Sequence, residues 1–115
     1  MIRHILFIAF VSDITSENLD RVREGFLGIP AVVDGVLGVE WGVNDSLENK
    51  SAGYTHSVMM TFLDDSALHR YLRHPEHEKL KKIFRPFLRD IIVFYYPVKE
   101  QEHSGPPPVF DTTVS

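Results

Sequence analysis

Residues 53–77 read GYTHSVMMTFLDDSALHRYLRHPEH, and this stretch holds four of the six histidines of the chain. Its first part alternates, so that Tyr54, His56, Val58, Met60 and Phe62 share one face of a strand running from Tyr54 to Phe62. Its second part changes period. Ser66 is placed to cap a short helix carrying Leu68, Tyr71 and Leu72, and the step His74-Pro75 stops that helix because a residue before proline avoids the α region. Pro75 then opens a new helix with Leu80, Ile83, Phe84, Phe87 and Leu88 at helical spacing, to be kinked or broken at Pro86.

Working outward, Ile5 to Val11 is apolar on both alternating sets and reads as a central strand covered on two faces, with His4, Leu6, Ile8 and Phe10 in one set. Thr15 is a plausible N-cap for a helix with Leu19, Val22 and Phe26 on one side, ending near Gly28. In VLGVEWGVN, residues 36–44, Leu37, Val39, Trp41 and Val43 alternate with Gly38, Glu40 and Gly42 as a second strand. Asp45 to Gly53 reads as a loop, and Ile91 to Tyr96 as a fourth strand closing at Pro97. The order β-α-β-β-α-β is that of an α+β, ferredoxin-like domain over residues 1–97, with a four-stranded antiparallel sheet. Helices cover one face of such a sheet, yet strands one and four are apolar on both. A second copy of the chain is the simplest cover, so two protomers forming a dimeric α/β barrel are expected. Residues 98–115, charged and then Pro-rich, read as a mobile tail.

Composition narrows the function. A chain of 115 residues, 43% hydrophobic, builds one core. A formal net charge of −4 with interspersed signs gives no basic stripe for nucleic acid. The absence of cysteine excludes disulfides and thiolate chemistry, and fits a cytoplasmic setting. The opening MIRHILFIAFVSD carries too short an apolar run for a membrane span and lacks a small-residue cleavage site, so a buried strand is expected there and no membrane partner. No Gly-rich phosphate loop or GxSxG elbow is present, and no cofactor is expected.

The histidines carry the functional expectation. With strands one and three taken to run in the same direction, His4 and His56 fall at one end of the sheet, and a helix returning from Ser66 brings Tyr71, His74 and His77 to the same level. An imidazole beside a phenol at the mouth of an apolar cavity can take a proton from a carbon or hydroxyl acid and hold the resulting oxyanion, with His77 the best single base. Each residue also has a plainer use: His4 and His56 as satisfied core side chains, Tyr71 as packing, His74 as a helix cap. His74-x-x-His77 with His56 or His4 could in principle make a three-nitrogen metal site, but HxxH arises readily by chance and no metal is expected. His69, His103 and the Lys79, Lys81, Lys82 cluster are assigned to solvent.

Over residues 3–97 the chain resembles the stress-responsive dimeric α/β-barrel family. The resemblance rests on H-x-x-x-F from His4, Ile29-Pro30, E-W-G from Glu40, E-x-x-x-x-G-Y-T-H from Glu48 to His56, and Y-x-x-H-P-x-H from Tyr71 to His77. It implies a two-chain barrel with a small apolar cavity in each protomer between sheet and helices, lined by Leu6, Ile8, Val22, Phe26 and Val58, with His74 among the ligand-binding positions. In a polyketide cyclase of the family, the tyrosine and last histidine of Y-x-x-H-P-x-H carry an aldol-type ring closure. These fall on Tyr71 and His77, with His4 and His56 at the other two histidine positions. That cyclase has an aspartate in its last strand where this chain has Tyr95.

Three functions follow as expectations. The first is a homodimeric stress-responsive barrel that holds a small hydrophobic or aromatic molecule. The second is a cofactor-independent lyase or cyclase with His77 as general base and Tyr71 as orienting donor, and the third is a structural homodimer without ligand.

Overall fold

A computed structural model describes residues 1–46, 48–49 and 51–106. Strands β1 (Ile2–Phe10), β2 (Val36–Val43), β3 (His56–Phe62) and β4 (Leu88–Pro97) form one sheet in the order β2-β3-β1-β4. Helices α1 (Ser16–Leu27), α2 (Ile29–Val32), α3 (Asp65–Leu72) and α4 (Pro75–Phe84) complete the α+β, ferredoxin-like unit. The expected chain order is therefore present, with β1 in the middle.

Local chemistry explains most boundaries. The Thr15 hydroxyl accepts from the Asn18 N–H and starts α1. The start of α3 differs from expectation, since Asp64, not Ser66, caps it by accepting from the Ala67 N–H at 2.9 Å. Three consecutive residues suited to the N-cap, Asp64 to Ser66, precede the apolar run, and the first of them caps the helix. Ile29-Pro30, just beyond the expected end of the first helix near Gly28, makes the four-residue α2. Pro86 ends α4 in a 3-10 turn, Arg85–Phe87, so Leu88 enters β4 instead of continuing the helix. A register shift between Val36 and Gly38 leaves Val36 buried and Leu37 at the surface, so the simple alternation fails at the start of β2.

The pairing corrects one expectation with consequences for function. Strands β1 and β3 are antiparallel, with His4 opposite Met60 and Ile8 opposite His56. The crossover through α1 makes β1 and β2 parallel, the β2–β3 hairpin reverses the chain, and β3 inserted between them must run against β1. His4 and His56 consequently lie toward opposite ends of the sheet.

The core lies between sheet and helices. Ile8, Val22, Val58, Met60 and Phe62 are fully buried there, with Phe26, Leu68 and Tyr71 almost so. Each such large side chain contributes about 1.5–3 kcal/mol by leaving water. The opposite face is bare: Phe7 sits across from Ile92, Ile5 across from Phe94, and Phe94 is 58% exposed. Ala9, from the same alternating set of β1 as Ile5 and Phe7, is buried.

Of the segment expected as a mobile tail, the Val98 N–H donates to the Met1 carbonyl and Glu100–Glu102 forms a 3-10 turn. The expectation for 107–115 lies outside the described residues.

Candidate active site

Three of the residues singled out in the sequence meet around one cavity. His4 faces the helices from β1, Tyr71 stands on the last turn of α3, and His77 on the first turn of α4. The corner between the helices is tight, with the His74 N–H donating to the Tyr71 carbonyl at 3.0 Å and the His77 N–H to the His74 carbonyl at 3.0 Å. That turn folds His77 back onto Tyr71, and their rings lie 4.6 Å apart at 54°. The rings of Phe62 and Tyr71 lie 5.4 Å apart, those of His4 and Phe62 6.1 Å, and those of His4 and Tyr95 6.3 Å. A ladder of rings thus runs from α4 to the sheet edge.

The cavity has a volume of about 230 Å3 and is lined on its apolar side by Leu6, Phe26, Phe84, Leu88, Ile91 and Val93. At roughly 30 Å3 per water-sized group this is room for about eight heavy atoms. It opens beside β4 because Val93 and Tyr95, opposite Leu6 and His4 in register, are more than half exposed.

The protonation states follow from the surroundings. His77 Nδ1 lies 3.1 Å from the Leu72 carbonyl, one of the acceptors left over at the end of α3. A carbonyl can only accept, so Nδ1 carries the proton and Nε2 keeps its lone pair. Desolvation lowers the His77 pKa, the Leu72 bond opposes this, and the positive charge of Lys81 lowers it further. His4 is 7% exposed, and its Nδ1 has no hydrogen-bond partner among the described residues. Its pKa is held down by burial first and by His77 second. Burial pushes the Tyr71 hydroxyl well above the usual phenol range, so it remains a proton donor at any physiological pH. The wall therefore offers a neutral imidazole base and a phenol donor.

The other expected site residues fall elsewhere. His56 belongs to a separate cluster, its ring 5.1 Å from Phe10 and 5.2 Å from Trp41, with Nδ1 2.7 Å from the Thr55 hydroxyl. It borders a different depression of about 440 Å3 at the bare face, beside Phe7, Tyr54 and Ile92. Antiparallel pairing explains the separation. His74 caps α4, its Nδ1 accepting from the Glu76 N–H at 3.0 Å, and it does not line the His4–His77 cavity. Ile8, Val22 and Val58, expected as lining, are packed into the core with no exposed surface, leaving Leu6 and Phe26 at the cavity. No group of three His, Asp or Glu side chains among the described residues is arranged to hold a metal ion.

Lys81 and Arg85 were not expected. Lys81 was assigned to a solvated face, yet its side chain is only 21% exposed, pairs with Glu78 at 2.7 Å and lines the cavity with Arg85. Their spacing from His77, four and eight residues on, is the signal that would have found them. His69, in contrast, lies at the surface 3.5 Å from Asp65.

Known proteins share this architecture. The chain is 27% identical over 95 residues to the stress-response A/B barrel domain-containing protein HS1 of Arabidopsis thaliana, covering 83% of this chain and 87% of that protein. It is 25% identical over 95 residues to olivetolic acid cyclase of Cannabis sativa, covering 83% and 94%. Among solved structures, At3g17210 from Arabidopsis thaliana superposes with a TM-score of 0.81 at 26% identity over 87% of this chain and 97% of that one. The hydroxynitrile lyase from Passiflora edulis gives 0.80 at 22% identity, covering 86% and 94%. A dimeric ferredoxin-like protein from Thermobifida fusca gives 0.73 at 21%, covering 84% and 90%. The stress responsive A/B barrel domain model matches residues 2–98, and the chain belongs to that family.

Proposed function

We propose that the protein is a homodimer whose protomers each bind a small hydrophobic molecule between sheet and helices. The observation that carries this reading is the 230 Å3 cavity, apolar along Leu6, Phe26 and Val93, with His4, Tyr71 and His77 entering it and Lys81 and Arg85 on one wall. Native mass spectrometry of freshly purified protein should show one small apolar adduct per chain. Val93→Trp, which fills the open side from a half-exposed position, should remove it. Protein free of adducts that also fails to bind octan-1-ol sinks the proposal.

The dimer is supported by the bare apolar face around Phe7, Ile92 and Phe94 and by the dimeric ferredoxin-like structures of the same fold.

A second reading, favoured by the 4.6 Å contact of Tyr71 with an imidazole whose Nε2 is unprotonated, is cofactor-independent proton transfer at a bound ligand. His77 Nε2 takes the proton from an acidic carbon, and the Tyr71 hydroxyl donates to the oxygen on which negative charge develops. Olivetolic acid cyclase and the hydroxynitrile lyase are relatives whose names denote enzymes, which fits a cavity used for chemistry. Deuterium exchange at the carbon beside the carbonyl of octan-2-one tests the base without knowledge of the natural substrate. Exchange should exceed the buffer rate and collapse in His77→Ala. Equal rates in both proteins remove the catalytic reading and leave the binding one.

A further inference from the structure

On the reading that the cavity binds an apolar molecule, we propose that its natural ligand is an amphipathic anion, with a carboxylate or equivalent oxyanion held at the rim by Lys81 and Arg85.

Four observations converge on this. His77, Lys81 and Arg85 follow one another at intervals of four residues and all border the cavity, so beyond the imidazole one wall presents two cationic nitrogen donors, Lys81 and Arg85. No acidic residue among the described residues lines the cavity. Glu78, which is not part of the lining, is 60% exposed and pairs with Lys81 at 2.7 Å. The Arg85 side chain enters no ion pair or hydrogen bond among the described residues, so its five donors remain to be used. Finally, His4 is more than nine-tenths buried beside the same cavity with an Nδ1 unpartnered among the described residues, a polar atom that a ligand oxygen or hydroxyl can satisfy.

The chain as a whole carries a formal charge of −4. A locally cationic rim on an acidic protein selects ligands of the opposite sign against a background that repels them. An arginine fork fits a planar carboxylate, and the partly buried Lys81 adds a point charge in a medium less screening than water. The roughly seven apolar carbons of an octanoate chain fill the hollow at about 30 Å3 each, which leaves the carboxylate at the rim.

Calorimetric titration of the full chain with octanoate and with octan-1-ol, at pH 8 and low salt, tests the inference. Octanoate should bind roughly tenfold more tightly than the alcohol, as a charge-assisted contact predicts. Lys81→Gln with Arg85→Gln should bring octanoate down to the level of the alcohol, and Arg85→Gln alone should do so in part. The second variant keeps the test valid if loss of the Lys81–Glu78 pair disturbs folding. Nuclear magnetic resonance of the imidazoles supplies an independent readout, because a bound carboxylate raises the His77 titration midpoint whereas the alcohol does not. Equal binding of acid and alcohol, or an acid preference that survives in both variants, overturns the proposal while the apolar-cavity reading stands. Failure of both probes to bind overturns both.

Discussion

Tyr71 and His77 stand ring to ring at 4.6 Å although they sit on different helices, because the His74-Pro75 corner turns the chain between them. The contact has two separable parts. Tyr71 fills space beside Phe62, and its hydroxyl makes no hydrogen bond to protein among the described residues. Tyr71→Phe should therefore cost less than about 1.5 kcal/mol in urea unfolding, whereas Tyr71→Ala should cost about 3–5 kcal/mol by leaving a hole in the core. If the two variants are equally destabilised, the hydroxyl is structural and the donor role assigned to it is lost.

His4 gives a pH dependence of known sign. Its folded pKa lies below the ordinary histidine value of 6.5, so the unfolded chain binds the proton more readily. The stability that neutral His4 contributes is present above pH 6.5 and is lost as pH falls from there through the folded pKa. The slope contributed by this one group is at most about 1.4 kcal/mol per pH unit. Unfolding free energies at pH 7.5 and pH 5.5 should show a loss that His4→Gln reduces. His77 is lowered as well and retains part of the slope. An unchanged slope in His4→Gln would place the titrating group elsewhere.

Asp64 and Ser66 offer a direct comparison of two candidate caps. The Asp64 carboxylate accepts from the Ala67 N–H, so Asp64→Ala should destabilise by about 1 kcal/mol and Ser66→Ala by a few tenths. Thermal melts of the two variants would reverse in order if Ser66 were the cap in solution.

Gly35 is required at the entry to β2. Its φ is +87°, and an added Cβ would lie 2.5 Å from the Cβ of Ala67 on α3. Gly35→Ala combines left-handed backbone strain with an overpacked helix contact, each costing about 1–3 kcal/mol. A melting temperature equal to that of the parent chain would show that the β2 entry and α3 are not packed in this way.

The bare face of the sheet predicts assembly. Phe94→Asp places a charge among Phe7, Ile5 and Ile92 without touching the helical side, so sedimentation should change from dimer to monomer while far-ultraviolet circular dichroism is retained. A parent chain that sediments as a compact monomer at micromolar concentration refutes the dimer outright.

Local chemistry in the sequence determined the elements and their order. The period of two holds for a strand over residues 56–62, two residues shorter at its start than expected, and the Thr15 cap and the prolines at 75 and 86 act within a few residues as their chemistry requires. Tyr71 and His77 were legible together because they share one corner of the chain, and His4 because its alternating set faces the helices. Only the tertiary structure decided which distant groups share a space. Strand direction is fixed by the pairing of whole elements, and the antiparallel match of β1 with β3 sent His56 to Phe10 and Trp41, away from His4. The wall on which Lys81 and Arg85 lie was equally a matter of packing, since a charged residue on a helix looks solvated until the neighbouring strand edge is in place.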